Sequence, residues 1–132
     1  VSLSLPGCIE PHMMTDMAFE RIRGAAVYVL QLDLPENIYE AWDEHFDHRA
    51  PYLDDIDDSS GVRYVGAAND LLHRLNDHND GQVRKSALLR VCDIAELHSV
   101  WWFDSAEEAF ERESKIATIM QNNRPDLYIH QR

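Results

Sequence analysis

Lysine is nearly missing from this chain. Only Lys85 and Lys115 are present, against ten arginines, and 24 acids stand against 12 bases for a formal net charge of −12. A carboxylate-rich surface short of lysine is expected of a protein working in very salty cytoplasm, where the Debye length shrinks to about 3 Å and self-repulsion is screened. Cysteine is equally scarce. Cys8 and Cys92 form no disulfide framework and are too isolated for a zinc knuckle, so two reduced thiols are expected. The longest uncharged apolar run, Ala25 to Leu32, falls far short of the roughly 20 residues that span a bilayer. No basic segment followed by an apolar stretch opens the chain. The expectation is a cytoplasmic or virus-associated protein with no membrane partner. A Gly-rich elbow around a serine nucleophile is also missing, and there are no internal repeats. What is present is an ordinary globular balance, with 45% hydrophobic and 27% charged residues in 132 positions.

The charge is unevenly placed. Residues 33–60 carry ten acids and one base, Arg49, whereas residues 61–90 are locally basic through Arg63, Arg74, Arg84, Lys85 and Arg90. Residues 1–24, with Pro6, Gly7 and Pro11, read as an N-terminal arm, and residues 25–132 as the folded domain. Ala25–Leu32 is β-rich and unbroken by charge, the pattern of a strand buried on both faces. Glu36–His48 has Ile38, Tyr39, Trp42 and Phe46 near helical spacing, and Asp54–Gly61 reads as an acidic Ser-Gly loop. Val62–Gly66 is a second strand. Asn69 is placed to cap a helix to about His78, Ser86–Ile94 reads as a short helix, and Leu97–Phe103 as a third strand. Ser105-Ala106-Glu107-Glu108 is a capping box opening a helix to about Asn122. The order predicts an α+β domain: a small three-stranded mixed or antiparallel sheet flanked by helices, with residues 33–61 an acidic insertion between the first two strands. Trp42 or Phe46 is expected to anchor that insertion, and Trp101 and Trp102 to split across the third strand.

Three features carry chemistry. Glu113 falls near the centre of the last helix's apolar stripe of Ala106, Ala109, Phe110, Ile116, Ala117 and Met120. A carboxylate there is costly unless it is ion-paired or holds a cation, and the sequence leaves both open. Arg74 and His78, four residues apart, share one side of the helix after Gly66. Tyr28 and Tyr64 lie on the first two strands, as core packing or as phenols facing a cleft. Glu44-His45-Phe46-Asp47-His48 offers metal-type ligands at helical spacing but no clear third, so a solvated acidic helix is the simpler reading.

Together these segments resemble the GIY-YIG nuclease family. Ala26-Val27-Tyr28 and Tyr64-Val65-Gly66 are similar to its paired signature. In the run from Tyr64 to His78, an Arg stands eight residues after the Gly and a His four later. Phe110-Glu111-Arg112-Glu113 resembles the family's metal-binding segment, and Arg124-Pro125-Asp126-Leu127-Tyr128 its proline-containing tail. The likeness covers roughly residues 25–128. Ala26 stands where the family has its first Gly, Tyr128 where many members have Asn, and residues 33–61 replace a short hairpin. The resemblance implies a metal-dependent DNA endonuclease. Glu113 would hold Mg²⁺ or Mn²⁺, Tyr28 would act as general base or orient water with Tyr64 in its network, Arg74 would take the scissile phosphate, and His78 would assist proton transfer. Arg63, Arg84, Lys85 and Arg90 are the bases for DNA contact, or simply solvated charges. A protein partner or a homo-oligomer would serve for targeting. A second class stays open: a non-catalytic GIY-YIG-like domain for binding or assembly, as a virus component or a partner of a larger nucleic-acid complex.

Overall fold

The structure, a computed structural model, describes Cys8–Ile9, residues 24–79 and residues 86–131. Its organising element is the strand β2, Ala25–Asp33, whose β-branched and aromatic residues are buried on both sides for nearly their whole length. On one side β2 pairs antiparallel with β3, Val62–Ala68, and on the other antiparallel with β4, Asp93–Phe103. A fourth strand, β5 (Tyr128–Gln131), runs parallel to β3, and the two-residue β1 (Cys8–Ile9) pairs with β4. The spatial order is β1-β4-β2-β3-β5. The α+β class holds, but the sheet is not three-stranded. The expected proline-containing tail turns at Pro125–Asp126 and becomes a strand. Its partner lies more than sixty residues earlier, so no local pattern announces it.

β4 also starts earlier than the sequence indicates, at Asp93 rather than Leu97. Its pairing with β2 slips twice, between Val29 and Leu30 and between Gln31 and Leu32, skipping His98 and Ala95. Those irregularities break the period-two pattern. The helix expected over Ser86–Ile94 is correspondingly short, α4 at Ala87–Val91.

The insertion joins two neighbouring strands, as expected, but contains two helices: α1 (Ile38–Asp43) and α2 (Leu53–Asp58). The run read as an acidic loop is therefore mostly helix, held by Leu53 and Ile56 beneath a row of aspartates. Asn37 caps α1 by accepting from the Tyr39 and Glu40 amides at 3.0 and 3.2 Å. Trp42 is the anchor. Its ring is buried, lies 4.6 Å from Phe46, and donates from Nε1 to the His48 carbonyl at 2.8 Å. The helix α3, Leu71–Asn79, is capped by Asp70 and not by Asn69, since Asp70 Oδ1 accepts from the His73 amide at 3.1 Å. The helix α5, Ala106–Asn123, begins where its capping sequence indicates, with Ser105 Oγ accepting from the Glu108 amide at 3.2 Å.

Strand alternation divides the interior into two layers. Tyr28, Leu30, Tyr64 and Val100 face a layer built from the insertion helices, α3 and α4, through Ile38, Trp42, Leu53, Ile56, Leu71, Leu88 and Leu89. Val27, Val29, Val65 and Trp101 face α5, through Ala109, Ile116, Ala117 and Met120. Trp102 packs against the first layer, so the adjacent tryptophans do split across β4.

Candidate functional site

The register sets Tyr28 opposite Gly66, with Tyr64 opposite Leu30 on the same face. The two phenol rings lie side by side, centroids 6.4 Å apart and tilted by 32°. Gly66 is what makes room. A Cβ there would stand 2.6 Å from Tyr28 Cζ and closer still to its hydroxyl. The glycine of Tyr64-Val65-Gly66 is thus a floor across which the Tyr28 phenol lies. Both tyrosines are sealed, at 0% and 1% exposure, under the layer that includes α1 and α2.

Arg74 is half-buried on α3, which packs onto this same face through Leu71 and Leu75. His78 occupies the last turn of that helix. Glu113 comes from a different element. It stands on α5 between Ala109 and the Ile116–Ala117 pair, all three packed on the opposite face of the sheet. Its side chain is half-buried, with Oε1 withdrawn from solvent. The sequence pattern correctly marks Glu113 as turned toward the sheet. It does not say which side of the sheet α5 covers.

The bases expected at DNA separate too. Arg90 is exposed on α4. Arg63 is 6% exposed and donates from Nε to Gln31 Oε1 at 3.1 Å, so it braces the sheet interior and is withdrawn from the surface. Arg84 and Lys85 lie outside the described residues, as does most of the 1–24 arm.

Mg²⁺ takes octahedral oxygen ligands and keeps several waters, so its site needs open volume beside the carboxylate. The residues flanking Glu113 belong to an apolar layer of alanine, isoleucine and methionine, whereas Arg74 stands on α3, a helix that packs on the other layer through Leu71 and Leu75. Among the described residues no three His, Cys, Asp or Glu side chains gather to hold an ion.

A group not anticipated from the sequence surrounds Tyr64. His130 of β5 stacks on it with centroids 5.8 Å apart, Tyr52 of the insertion meets His130 edge-on at 5.0 Å, and Tyr128 lies 5.9 Å from both Tyr52 and His130. Burial lowers the His130 pKa from its ordinary 6.5 and raises those of Tyr52 and Tyr128, the latter helped by the Asp55 charge. These rings tie the insertion to the sheet edge. Tyr128 was visible in the sequence, but nothing there set His130 beside Tyr64. No family model, no curated protein and no solved structure matches the chain.

Proposed function

We propose that the chain is a non-catalytic GIY-YIG-like domain that binds a partner protein within a larger assembly. One observation carries this reading: Tyr28 and Tyr64 lie on one face of the sheet, and the residues flanking Glu113 pack on the other. Tyr28 and Tyr64 are sealed in one layer, and Glu113 belongs to the helix over the other. Phosphodiester hydrolysis needs water activation, a cation and charge neutralisation at one point, and the split of these elements between two layers speaks against such a point. The partner class follows from charge. A net −12, concentrated in the insertion, repels phosphate at moderate ionic strength and attracts a basic protein surface.

A second reading, the Mg²⁺- or Mn²⁺-dependent endonuclease, draws support from one feature. The Tyr28 phenol over Gly66, Tyr64, and α3 with Arg74 share a single face, which would open if α1 and α2 lifted away. Incubation of the chain with single-stranded, duplex and branched DNA, with either metal, at 0.1 M and near-molar KCl, separates the two. The binding reading expects intact DNA throughout. Metal-dependent cleavage lost in both Glu113→Gln and Arg74→Ala would replace it with the nuclease.

A further inference from the structure

Among the described residues, β5 is the outermost strand on its side of the sheet. The Tyr128 amide points inward, donating to the Gly61 carbonyl at 2.9 Å. Strand alternation turns the groups of Ile129 and Gln131 outward. At that outer edge a side chain already imitates a neighbouring strand. The Gln121 amide of α5 donates from Nε2 to the Leu127 carbonyl at 2.7 Å and accepts from the Ile129 amide at 3.3 Å. One carboxamide thus satisfies the donor and acceptor that a passing peptide group would take. Beyond it lie the Ile129 carbonyl and the Gln131 amide.

The two sides of this edge differ chemically. On the face carrying Tyr128, a cleft of about 410 Å³ is lined by Asp55 and Asp58 of α2 and by Asp126. Asp126 is paired with Arg124 at 3.0 Å, whereas Asp55 and Asp58 have no basic partner among the described residues. On the face carrying Ile129 and Gln131, a groove of about 270 Å³ runs against Ala117 and Thr118 of α5. An added strand points alternate side chains to opposite faces. One set would enter the acidic cleft and the other the smaller, less charged groove.

We propose that the outer edge of β5 is a strand-acceptor site, closed by the Gln121 amide until an extended segment of a partner protein with alternating basic and aliphatic residues displaces it. The occupant is fixed by charge complementarity. A second copy of this chain would bring −12 against −12, and a nucleic acid strand offers no backbone amides to the edge. The proposal rests on the assembly reading and gives it a location.

The test uses the full chain, isotopically labelled, and the peptide Val-Lys-Val-Lys-Val-Lys-Val-Lys. The control has the same composition in block order, four valines then four lysines. Binding of the alternating peptide is expected to shift the Ile129 and Gln131 backbone amides and release the Gln121 side-chain amide. Asp55→Asn with Asp58→Asn, both at exposed positions, is expected to weaken it about tenfold. N-methylation of the edge-facing valines should cost at least about tenfold, since it removes donors that charge attraction does not use. Equal binding of the block peptide, indifference to N-methylation, or the absence of shifts at Ile129 and Gln131 each overturns the proposal. DNA cleavage is a separate measurement: failure of the peptide with DNA uncut removes only this site, and cleavage removes the assembly reading beneath it.

Discussion

Gly66→Ala adds a single methyl where the structure has no volume for it. The new Cβ would lie 2.6 Å from Tyr28 Cζ and 3.0 Å from Cε1, well inside van der Waals contact. Tyr28 cannot swing aside, because it is fully buried and flanked by Tyr64 at 6.4 Å. Overpacking of this kind costs about 1–3 kcal/mol, and a rigid ring pressed on a central strand belongs near the upper end. Unfolding entropy of about 2.1 cal/mol/K per residue converts 2–3 kcal/mol into a Tm drop of about 7–11 °C for a chain this size. The informative measurement is a double-mutant cycle by urea denaturation at fixed KCl. In a Tyr28→Val background the ring is gone, so Gly66→Ala should be nearly neutral or slightly stabilising, as alanine usually is over glycine in a strand. If Gly66→Ala costs the same with and without the ring, the glycine is not a floor for Tyr28 and the reasoning fails.

Other outcomes follow from the packing. Trp42→Ala should destabilise by about 3–5 kcal/mol and strip amide-exchange protection first from residues 38–58, because it removes both the anchor ring and the bond to the His48 carbonyl. Ser105→Ala should cost about 1 kcal/mol by denaturant titration, through the lost cap of α5. His130 has a folded pKa below 6.5, so the unfolded chain takes the proton first. Its contribution is intact above pH 6.5 and is lost as pH falls through 6.5 toward the folded value. Stability curves of the wild type and His130→Phe should therefore diverge across that window and run parallel above it; curves parallel throughout would clear His130 of any part in the pH dependence.

The central elements were legible because their signals are local. Ala25–Leu32 is a β-rich run too short for a helix and too apolar for a loop, and Ser105 with Glu108 writes the start of α5 into four residues. The juxtaposition of Tyr28 and Tyr64 also followed, given that their strands pair. The failures share a cause. β5 is four residues whose strand character comes from β3, far away in sequence. α2 has only two apolar residues among six, and tertiary burial of Leu53 and Ile56 decides in favour of the helix. Glu113 is a different case. Periodicity shows that a helix residue is turned inward, but a sheet has two sides, and only the path of the whole chain determines which one α5 covers.

The 28-residue connection between β2 and β3 bears on how quickly the molecule assembles. These strands form an antiparallel pair that a tight turn would normally join, and a tight turn lets the first contacts zip within microseconds. Closing about 28 residues instead of about four adds nearly three doublings of loop length, or about 1.7 kcal/mol of entropy before any pairing is gained. β2 must also wait for β4, some sixty residues on, to cover its other edge. A chain whose central strand has only distant neighbours has a high contact order and should fold slowly for its size. During that delay the apolar run Ala25–Leu32 is exposed with both edges open, and at moderate ionic strength the like charge of the adjoining acidic segment is what would keep two such chains apart.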